Sequence, residues 1–445
     1  MNTNTGDRTQ ITDKGTRVER FVIEGGHRLK GTITPAGNKN AALPVLAATL
    51  LTADEVLIEN LPAIGDVETM RRLVVQLGGT ATQRGPHSWA LRTAQVNDQQ
   101  PDVALSRKIR ASVLLAGPLL ARRGYVTLPR PGGDMIGRRR LDTHFNALEA
   151  LGAQIEITPS SYVMRADRLR GADIFLDEMS VTGTEQALMA AVLAEGDTTI
   201  SQAASEPHVQ DLCHMLNALG ARIAGIGTNV LEITGVAALH GGQYTIGPDF
   251  MEVASFIGLA AVTRSEIRIA GARPREHRMT RIGLGRLGVT WRDEGDDIIV
   301  PADQELRVRN DMHNAIPKID SAPWPGFNPD MISVTLVVAT QADGTVLIHE
   351  KMFESRLFFV DRLVGMGARI VLCDPHRAVV VGPSPLYGEP DGVPSPDIRA
   401  GMALLVAALA AKGRTQIFNI GQIDRGYEQI DVRLRTLGAA IERAE

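Results

Sequence analysis

One carboxylate stands inside a glycine-flanked loop, directly ahead of three consecutive arginines. The segment from Pro131 to His144 reads PGGDMIGRRRLDTH, and the carboxylate is Asp134. Three interpretations are open: a solvated loop residue, a counter-ion for the arginines, or a proton-transfer group held over an anionic substrate. Runs of arginine are mostly at least partly exposed to solvent, so we expect only one of the three to take part in chemistry.

Cations also stand where three apolar helices are predicted to begin. A positive charge at Lys39, Arg110 or Arg399 opposes the dipole of the helix that it opens. Helix starts already offer free N–H groups to anions, so these cations predict a site for a polyanion. Asn, Thr and Asp open other helices, where ordinary capping explains them as well as function does. Arg356 and Arg425 lie in loops, and a surface ion pair is their default interpretation.

The cations Lys39, Arg110 and Arg399 stand at the same place in a repeated unit, the start of its apolar helix. A leucine or methionine followed by glycine and a small residue occurs six times, 68 to 79 residues apart, which indicates an internal repeat. Each unit reads as an apolar helix, a strand, an amphipathic helix that ends at the glycine, and a second strand. The predicted apolar helices are Ala41–Leu51, Ala111–Ala121, Gln186–Ala194, Val253–Val262, Ile332–Ala339 and Ala400–Ala411.

The repeat predicts an α/β fold in which the helices lie inside and the sheets outside. A helix that is apolar nearly all round must be buried, which gives an inside-out α/β barrel. Six units exceed one compact core, so we expect two lobes of three units with a ligand cleft between them. The predicted organisation is a disordered N-terminus over 1–17, domain 1 over 39–247 with the catalytic loop 131–140, and domain 2 over 18–38 plus 248–445. We expect the first strand, Phe21 to Glu24, to pair with the C-terminal half.

Composition limits the classes of function. The net charge of −4 provides no global basic field, which argues against a nucleic-acid partner. The two cysteines, Cys213 and Cys373, have no metal-ligand spacing around them, so no metal site is predicted. The polar N-terminus does not resemble a secretory signal, and the longest apolar runs fall short of the ~20 residues of a membrane span. We therefore expect a cytoplasmic protein without a membrane partner.

Eight ordered motifs carry a resemblance to one enzyme family. They are GNKNAALPVLAATLL (37–51), RASVLLAGPLLAR (110–122), PGGDMIGRRRLDTH (131–144), SVTGTEQALMAAVLAEG (180–196), PGFNPDM (325–331), FESR (353–356), DIRAG (397–401) and IDRGYE (423–428). From about Phe21 to its C-terminus the chain resembles the UDP-N-acetylglucosamine 1-carboxyvinyltransferase family. That family has an inside-out α/β fold of two three-unit lobes, and its reaction opens the synthesis of bacterial peptidoglycan precursors.

The resemblance implies an addition followed by an elimination. The 3-hydroxyl of the UDP-linked sugar attacks C2 of phosphoenolpyruvate while C3 gains a proton, and the tetrahedral intermediate then expels phosphate. This chemistry uses an acid, a base and cations around the phosphate and the carboxylate, without a metal or redox cofactor. The resemblance assigns catalytic roles to Asp134, Asp330, Lys39 and Arg425.

Two groups of binding residues follow from the same resemblance. The residues implied for phosphoenolpyruvate are Lys39, Arg110, Arg139, Arg356, Arg399 and Arg425. The residues implied for UDP-N-acetylglucosamine are Asn40, Arg110, Arg139, Arg140, Leu141, Asp142, Thr143, His144, Ser180, Val181, Gly183, Asp330 and Met352.

The sequence departs from the family pattern at two positions of the loop. Many members have a cysteine where Asp134 stands, and that cysteine is the target of fosfomycin. A carboxylate is a poor target for epoxide alkylation compared with a thiolate, so we expect insensitivity to the drug. The family usually has proline at Arg140, which leaves open whether Arg138, Arg139 or Arg140 faces the substrate.

Three other functions remain to be distinguished by experiment. The first is the sister reaction on shikimate 3-phosphate, although the run from Lys39 to Pro44 differs from the lysine-serine signature of that family. The second is transfer to another nucleotide sugar, and the third is non-catalytic binding of a UDP-sugar. We expect a monomer or a weak homo-oligomer.

Overall fold

Six small sheets surround two bundles of buried helices. The computed structural model describes residues 19–134 and 136–445, so the prediction for residues 1–17 lies outside the described residues. Each of the six central helices is buried on nearly every side, as its small aliphatic composition requires. They span Lys39–Ala48, Ala116–Arg123, Val181–Ala191, Phe250–Val262, Ile332–Gln341 and Ile398–Ala410. The predicted α/β class and its six-unit repeat are confirmed.

The second central helix is less regular than predicted. It begins as a 3₁₀ turn over Arg110–Leu115 and becomes α-helical only over Ala116–Arg123. Pro118 explains part of this irregularity, because it has no N–H to donate to the carbonyl of the preceding turn. The irregular start places Arg110 at the mouth of the bundle.

An amphipathic helix in each unit covers the outside of a sheet or bundle. These helices span Gly65–Gln76, Asp142–Ala150, Pro207–Ala218, Arg278–Gly285, Val360–Gly365 and Ile430–Thr436. In each of the six repeats, the glycine that follows the helix has φ between 84° and 107°, the left-handed conformation expected of a helix C-cap. Short additional helices lie at Val103–Ser106 and Gly421–Asp424.

The sheets have similar strand orders, with a parallel partner at one edge in five of the six. In order across each of the first three sheets, the strands are Gly242–Thr245, Glu55–Glu59, Ser88–Arg92 and Thr80–Gly85 in one; Tyr125–Pro129, Ser161–Arg165 and Gln154–Ile157 in the next; and Arg222–Ala224, Val230–Thr234, Asp197–Ser201 and Asp173–Phe175 in the third. In the other three sheets, the strands are Arg292–Glu294, Asp297–Val300, Glu266–Ile269 and Lys30–Ile33; Lys318–Asp320, Gly344–His349, Arg377–Gly382 and Arg369–Asp374; and Val393–Pro394, Gly413–Phe418, Arg20–Gly25 and Ala440–Ala444.

The N-terminal strand closes the sheet formed by the C-terminal end of the chain. Arg20–Gly25 pairs antiparallel with both Gly413–Phe418 and Ala440–Ala444, which is the pairing expected from the sequence. One hydrophobic core contains residues between 41 and 246, and the other contains residues 21–33 together with residues between 250 and 441. Two antiparallel segments link the cores, where Asn38 N donates to Gly247 O at 2.8 Å and Asp249 N donates to Ala36 O at 2.8 Å.

Close helix packing fixes the geometry of the second core. Its three central helices, Phe250–Val262, Ile332–Gln341 and Ile398–Ala410, contact one another directly. A Cβ added at Gly258 would lie 2.5 Å from Val334 Cγ1, so only glycine permits this approach. Among the described residues, no helix is both long enough and apolar enough to cross a membrane.

Candidate active site

A cavity of about 550 Å³ opens between the two cores and is lined by residues of both. It lies at the N-terminal ends of central helices, where unpaired backbone N–H groups favour anions. The sequence-predicted site residues that line it are Lys39, Asn40, Arg110, Asp134, Arg139, Arg140, His144, Ser180, Val181, Asp330, Met352, Arg356, Arg399 and Arg425. Four others, Leu141, Asp142, Thr143 and Gly183, do not line it; Asp142 is exposed to solvent, and the other three are buried.

Asp66 links two of the cations at the centre of the cleft. Lys39 Nζ lies 2.7 Å from Asp66 Oδ2, and Arg425 Nε donates to Asp66 Oδ1 at 2.8 Å. A terminal nitrogen of Arg425 also pairs with Asp134, and the same nitrogen donates to Gln422 Oε1 at 2.7 Å. Asp134 is therefore a counter-ion in this state, but its partner is Arg425 and not one of the three consecutive arginines that the sequence suggested.

Lys39 is nearly inaccessible to solvent, with 7% of its surface exposed. Burial lowers its pKa below the ordinary value, and the attraction of Asp66 acts in the opposite direction. Asn38 caps the helix that Lys39 opens, since its side chain accepts from Asn40 N and Ala41 N at 2.8 and 3.2 Å. The charge of Lys39 at a helix start is thus compensated by a carboxylate, and its ammonium group remains at the cavity wall.

Arg110 holds the backbone of the arginine run in place. Its Nη2 donates to the carbonyl oxygens of Arg139 and Arg140 at 2.6 and 3.1 Å. Gly133 has φ +107°, and a Cβ there would lie 2.9 Å from Arg110 Cβ, so the loop must be glycine at this point. Burial, together with the charge of Arg139, lowers the pKa of Arg110 to about 10.

The three consecutive arginines have different environments. Arg138 and Arg140 are exposed, and Arg140 Nε pairs with Asp142 Oδ2 at 2.7 Å. Arg139 is partly buried, and its pKa is lowered mainly by that burial, while the charge of Asp134 acts in the opposite direction. Of the three, Arg139 has the environment of a residue directed into the cleft.

Asp330 is held between two buried arginines on the opposite side of the cavity. Arg356 Nη2 donates to its Oδ1 at 2.6 Å, and Arg399 Nε donates to its Oδ2 at 3.1 Å. Burial by itself would raise the pKa of Asp330, but the two guanidinium groups outweigh it and hold that pKa well below the usual range. In this state the carboxylate is a weak base, and its basicity depends on how strongly the two arginines are engaged elsewhere.

The buried surroundings of Arg399 orient its guanidinium. Its Nη1 donates to Tyr427 Oη at 3.1 Å, and Nη2 lies 3.1 Å from the sulfur of Met251. Asp397 caps the helix by accepting from Arg399 N at 2.8 Å. Tyr427 belongs to the motif IDRGYE, but no role for it was predicted.

A further wall of the cleft is formed where two helices begin. Ser180 caps the helix Val181–Ala191 and accepts from Gly183 N at 3.1 Å. His144 Nε2 lies 2.8 Å from Thr182 Oγ1, and burial lowers the pKa of His144 to about 3, so its ring is neutral at physiological pH. This wall presents hydroxyl and backbone groups rather than charge.

The Asp134 loop contacts the other core through Glu354. Arg138 N donates to Glu354 Oε2 at 3.0 Å, and Ser355 N donates to Ile136 O at 3.1 Å. A Cβ at Gly137 would lie 2.2 Å from the same carboxylate oxygen, so this contact also requires glycine. The loop therefore bridges the cleft at its entrance.

The acidic residues that line the cavity without having been predicted from the sequence are Asp66, Glu178, Glu185, Glu206 and Glu354. Asp66 opens the amphipathic helix Gly65–Gln76 and resembles an ordinary first-turn acid, and Glu354 resembles a solvated loop residue. No sequence signal distinguishes Asp66 from Glu68, the other acid in the first turn of this helix, and only the structure shows that Asp66 is 5% exposed. Its role becomes visible only when residues 359 positions apart are brought together.

The arrangement combines anion binding with two groups able to move protons. Asp66 links Lys39 to Arg425, Asp330 links Arg356 to Arg399, and Arg139 lines the same cavity. Asp134 and Asp330 provide two carboxylates. Within residues 19–134 and 136–445, no group of His, Cys, Asp or Glu side chains has the geometry to hold a metal ion. Such a site can bind a small polyanion and exchange protons with it.

The chain is similar over nearly its whole length to one family model and to named relatives. The family model described as EPSP synthase (3-phosphoshikimate 1-carboxyvinyltransferase) matches residues 23–434. A UDP-N-acetylglucosamine 1-carboxyvinyltransferase of Treponema denticola is 54% identical over 96% of this chain and 100% of its own length. A protein of the same name from Bradyrhizobium diazoefficiens is 54% identical over 95% of this chain and 98% of its own length.

Solved structures show the same architecture. The enolpyruvyl transferase NikO from Streptomyces tendae is 25% identical, with a TM-score of 0.85 over 96% of this chain and 99% of that one. The EPSP synthase from Acinetobacter baumannii is 17% identical, with a TM-score of 0.73 over 96% and 100% of the two chains, and supports the fold alone.

Proposed function

The chain belongs to the UDP-N-acetylglucosamine 1-carboxyvinyltransferase family of enolpyruvyl transferases, and we propose that it transfers the enolpyruvyl group of phosphoenolpyruvate to the 3-hydroxyl of UDP-N-acetylglucosamine with release of phosphate. This step opens peptidoglycan precursor synthesis. The observation that carries the proposal is the meeting of Lys39, Arg425, Asp134 and Asp330 in one cleft between the two cores.

The phosphate group of phosphoenolpyruvate is assigned to Lys39, Arg139 and Arg425. Each stands at the cavity wall, and a dianionic phosphate brings enough charge to compete with Asp66 and Asp134 for them. These cations also stabilise the charge that develops on the leaving phosphate when the intermediate collapses. Arg110 acts beside them by holding the backbone of Arg139.

The carboxylate of phosphoenolpyruvate is assigned to Arg356 and Arg399, the pair that now holds Asp330. When the substrate carboxylate shares these arginines, the charge that depresses the pKa of Asp330 is divided between two anions. Asp330 then gains basicity at the moment when the sugar hydroxyl must lose its proton. Binding of phosphoenolpyruvate is thus the event that activates Asp330 as a base.

Asp134 is assigned the proton that moves to and from C3 of phosphoenolpyruvate. In the addition step, the sugar oxygen bonds to C2, Asp330 accepts the hydroxyl proton, and a proton from Asp134 bonds to C3. In the elimination step, the bond from C2 to the phosphate oxygen breaks, C3 returns a proton to the Asp134 carboxylate, and the proton held by Asp330 passes to the departing phosphate, which restores Asp330. Before substrate arrives Asp134 is paired with Arg425, and phosphate binding to Arg425 releases the carboxyl group from that pair for its role at C3.

The UDP-sugar is assigned to the wall that carries Asn40, His144, Ser180 and Val181, with Met352 at the opposite edge. Helix starts at Ser180 offer N–H groups for the diphosphate. Arg140 is exposed and paired with Asp142, so we assign it an outer contact at most. Leu141, Thr143 and Gly183 are buried and do not line the cavity, so we assign them a supporting role.

Phosphate release tests the choice of acceptor. The purified protein is incubated with phosphoenolpyruvate and either UDP-N-acetylglucosamine or shikimate 3-phosphate, because the matching family model bears the name of the shikimate enzyme. Turnover with the UDP-sugar alone supports the proposal. Turnover with shikimate 3-phosphate alone refutes it and supports the second function, and binding of the UDP-sugar without turnover supports a non-catalytic role.

We also propose that the protein is insensitive to fosfomycin because Asp134 stands in place of a thiol. A carboxylate paired with Arg425 is a weak nucleophile toward an epoxide. After incubation with the drug, the wild-type protein is expected to keep its activity, whereas Asp134→Cys loses activity with time. Stoichiometric, time-dependent inactivation of the wild type contradicts this proposal.

The remaining parts of the proposal concern organisation. We place the domain boundaries at 39–247 and at 18–38 plus 248–445, which the membership of the two hydrophobic cores supports. We place the enzyme in the cytoplasm, where phosphoenolpyruvate is produced, as a monomer or weak homo-oligomer. Light scattering across a range of protein concentrations tests the oligomeric state.

A further inference from the structure

Three buried ionisable side chains line the cleft without a role in the chemistry described above. They are Glu185, Glu206 and His208, whose exposed fractions are 1%, 6% and 2%. Glu185 lies in the helix that Ser180 caps, Glu206 immediately precedes the helix Pro207–Ala218, and His208 is in its first turn. We call these three residues the acidic floor of the cleft.

Several polar atoms of the acidic floor lack partners within the described part of the chain. Oε1 of Glu185, Oε2 of Glu206 and both ring nitrogens of His208 are buried and accept or donate no hydrogen bond there. Leaving a buried polar group unpaired costs about 1–3 kcal/mol, so such a cluster is expensive for folding unless a ligand satisfies it. Clusters of this kind at a cavity wall indicate a binding function.

The acidic floor adjoins the wall assigned to the UDP-sugar. Glu185 follows Val181 by four residues on the same helix, so the two side chains lie on one face, and both line the cavity. Glu206 Oε1 accepts from Trp324 N at 3.5 Å, and the ring of His208 stacks on Phe250 with centroids 6.0 Å apart. The acidic floor therefore touches the second core and lies where both lobes meet.

The chemistry of the acidic floor suits an uncharged polar partner. Burial raises the pKa of Glu185 well above its usual value, and the neighbouring charge of Glu206 raises it further. Burial also raises the pKa of Glu206 and lowers the pKa of His208 to about 4. Neutral carboxyl groups offer one donor and one acceptor each, which matches hydroxyl and amide groups better than phosphate.

We propose that Glu185, supported by Glu206 and His208, hydrogen-bonds an unreactive hydroxyl or amide group of the acceptor sugar and thereby determines which nucleotide sugar is accepted. This inference rests on the proposed function. It assigns the sugar ring to the space between Asp330 and the acidic floor, with the phosphates of both substrates at the cationic end. Glu185 is a specificity-determining residue, because it touches the acceptor away from the reacting atoms.

Two substitutions of Glu185 test the inference. Glu185→Leu removes both hydrogen-bonding atoms at similar size, whereas Glu185→Gln keeps a donor and an acceptor. We expect Glu185→Leu to raise the Kd and KM for UDP-N-acetylglucosamine about tenfold or more and to leave the KM for phosphoenolpyruvate unchanged. Glu185→Gln is expected to stay within about threefold of the wild type. Glu195→Leu, at an exposed glutamate four residues beyond the end of that helix, is the control for loss of a glutamate away from the cleft.

Acceptor analogues identify the contact itself. UDP-glucose lacks the acetamido group, and 4-deoxy and 6-deoxy UDP-N-acetylglucosamine each lack one hydroxyl. The wild type is expected to discriminate against the analogue without the contacted group, and Glu185→Leu is expected to lose that one discrimination while keeping the others. A double-mutant comparison of this kind separates a direct contact from general damage to the fold.

The results separate failure of the inference from failure of the proposed function. If the wild type transfers the enolpyruvyl group to the UDP-sugar but Glu185→Leu keeps the wild-type Kd, KM and analogue ratios, the inference is overturned. If the wild type shows no turnover with the UDP-sugar, the proposed function fails first. Should Glu185→Leu not fold, Glu185→Asp retracts the carboxyl group by one carbon, and unchanged analogue ratios in that variant also overturn the inference.

Discussion

Replacing Asp66 by asparagine tests how the cationic centre is held together. The carboxylate pairs with Lys39 Nζ at 2.7 Å and with Arg425 at 2.8 and 3.3 Å, and it is 5% exposed. Asparagine keeps the shape but loses the charge, and it presents one acceptor oxygen instead of two. A charge-assisted hydrogen bond contributes about 1.5–3 kcal/mol and a neutral one about 0.5–1.5 kcal/mol.

The loss of charge at two contacts gives an expected fall of about 3 kcal/mol in the free energy of unfolding. Activity falls as well, because Lys39 and Arg425 no longer share a fixed anchor, and misplacement of such groups costs about 100-fold in kcat/KM. Urea denaturation and steady-state phosphate release measure the two quantities. Saturating inorganic phosphate is expected to restore more stability to Asp66→Asn than to the wild type, because an anion replaces the missing carboxylate.

A matched control lies in the same turn of the same helix. Glu68 is exposed and pairs with Arg71 at 2.7 Å, so Glu68→Gln is expected to change the free energy of unfolding by less than about 1 kcal/mol. The reasoning is refuted if Asp66→Asn behaves like this control in both stability and kcat/KM. It is also refuted if phosphate stabilises the variant no more than the wild type.

Three further changes have defined outcomes. Burial lowers the pKa of His277 to about 4, so its contribution to stability is complete above the unfolded pKa of about 6.5 and is lost as the pH falls toward the folded value. This group alone is expected to lower the unfolding free energy by about 2 kcal/mol between pH 7 and 5, and His277→Gln is expected to reduce the total drop in urea titrations by that amount, while the buried His144 and His208 keep their own contributions. Gly133→Ala places a Cβ 2.9 Å from Arg110 Cβ and is expected to lower kcat/KM at least tenfold. In the control Gly285→Ala, the added Cβ meets nothing within 4 Å, so the free energy of unfolding is expected to change by at most about 1 kcal/mol. Equal kcat/KM in the two variants would show that the loop does not require glycine at position 133. Asp330→Asn is expected to lower kcat by about 10²–10⁴-fold, and a kcat within threefold of the wild type rules out Asp330 as the base.

The helices and their limits were largely predictable because their signals are local. Apolar side chains on every face of a helix indicate burial wherever they occur, and the glycine after each amphipathic helix adopts the left-handed conformation that it alone adopts at little cost. The start of the second central helix was less predictable, since one proline changes the hydrogen bonding of a turn without changing its hydrophobic pattern.

The site was predictable in its cations and less so in its acids. A cation at a helix start conflicts with a local rule, and that conflict drew attention to Lys39 and Arg399. Asp66 obeys the same rule, because an acidic residue is favoured at a helix start, so nothing in the sequence distinguishes it. Its partner Arg425 is 359 residues away, and no local pattern specifies such a pairing.

The choice among the three arginines depended on the path of the loop. Consecutive residues of an extended segment point in different directions, so sequence alone left Arg138, Arg139 and Arg140 equivalent. The carbonyls held by Arg110 and the contact with Glu354 fix that path, and they leave Arg139 as the partly buried one. Glu185 stands one residue before the predicted apolar helix Gln186–Ala194, so it resembled an ordinary acid at a helix start, whereas in the structure it lies inside the helix Val181–Ala191.

The most direct test of the central claim is to run the reaction in deuterium oxide and weigh the product. Addition and elimination through Asp134 and Asp330 pass through a methyl group at C3 that rotates before one hydrogen leaves. We expect the wild type to form enolpyruvyl UDP-N-acetylglucosamine that carries solvent deuterium at C3, and Asp134→Asn to lose both the label and turnover. A product formed at the normal rate without deuterium would contradict this expectation, because no proton would then have reached C3.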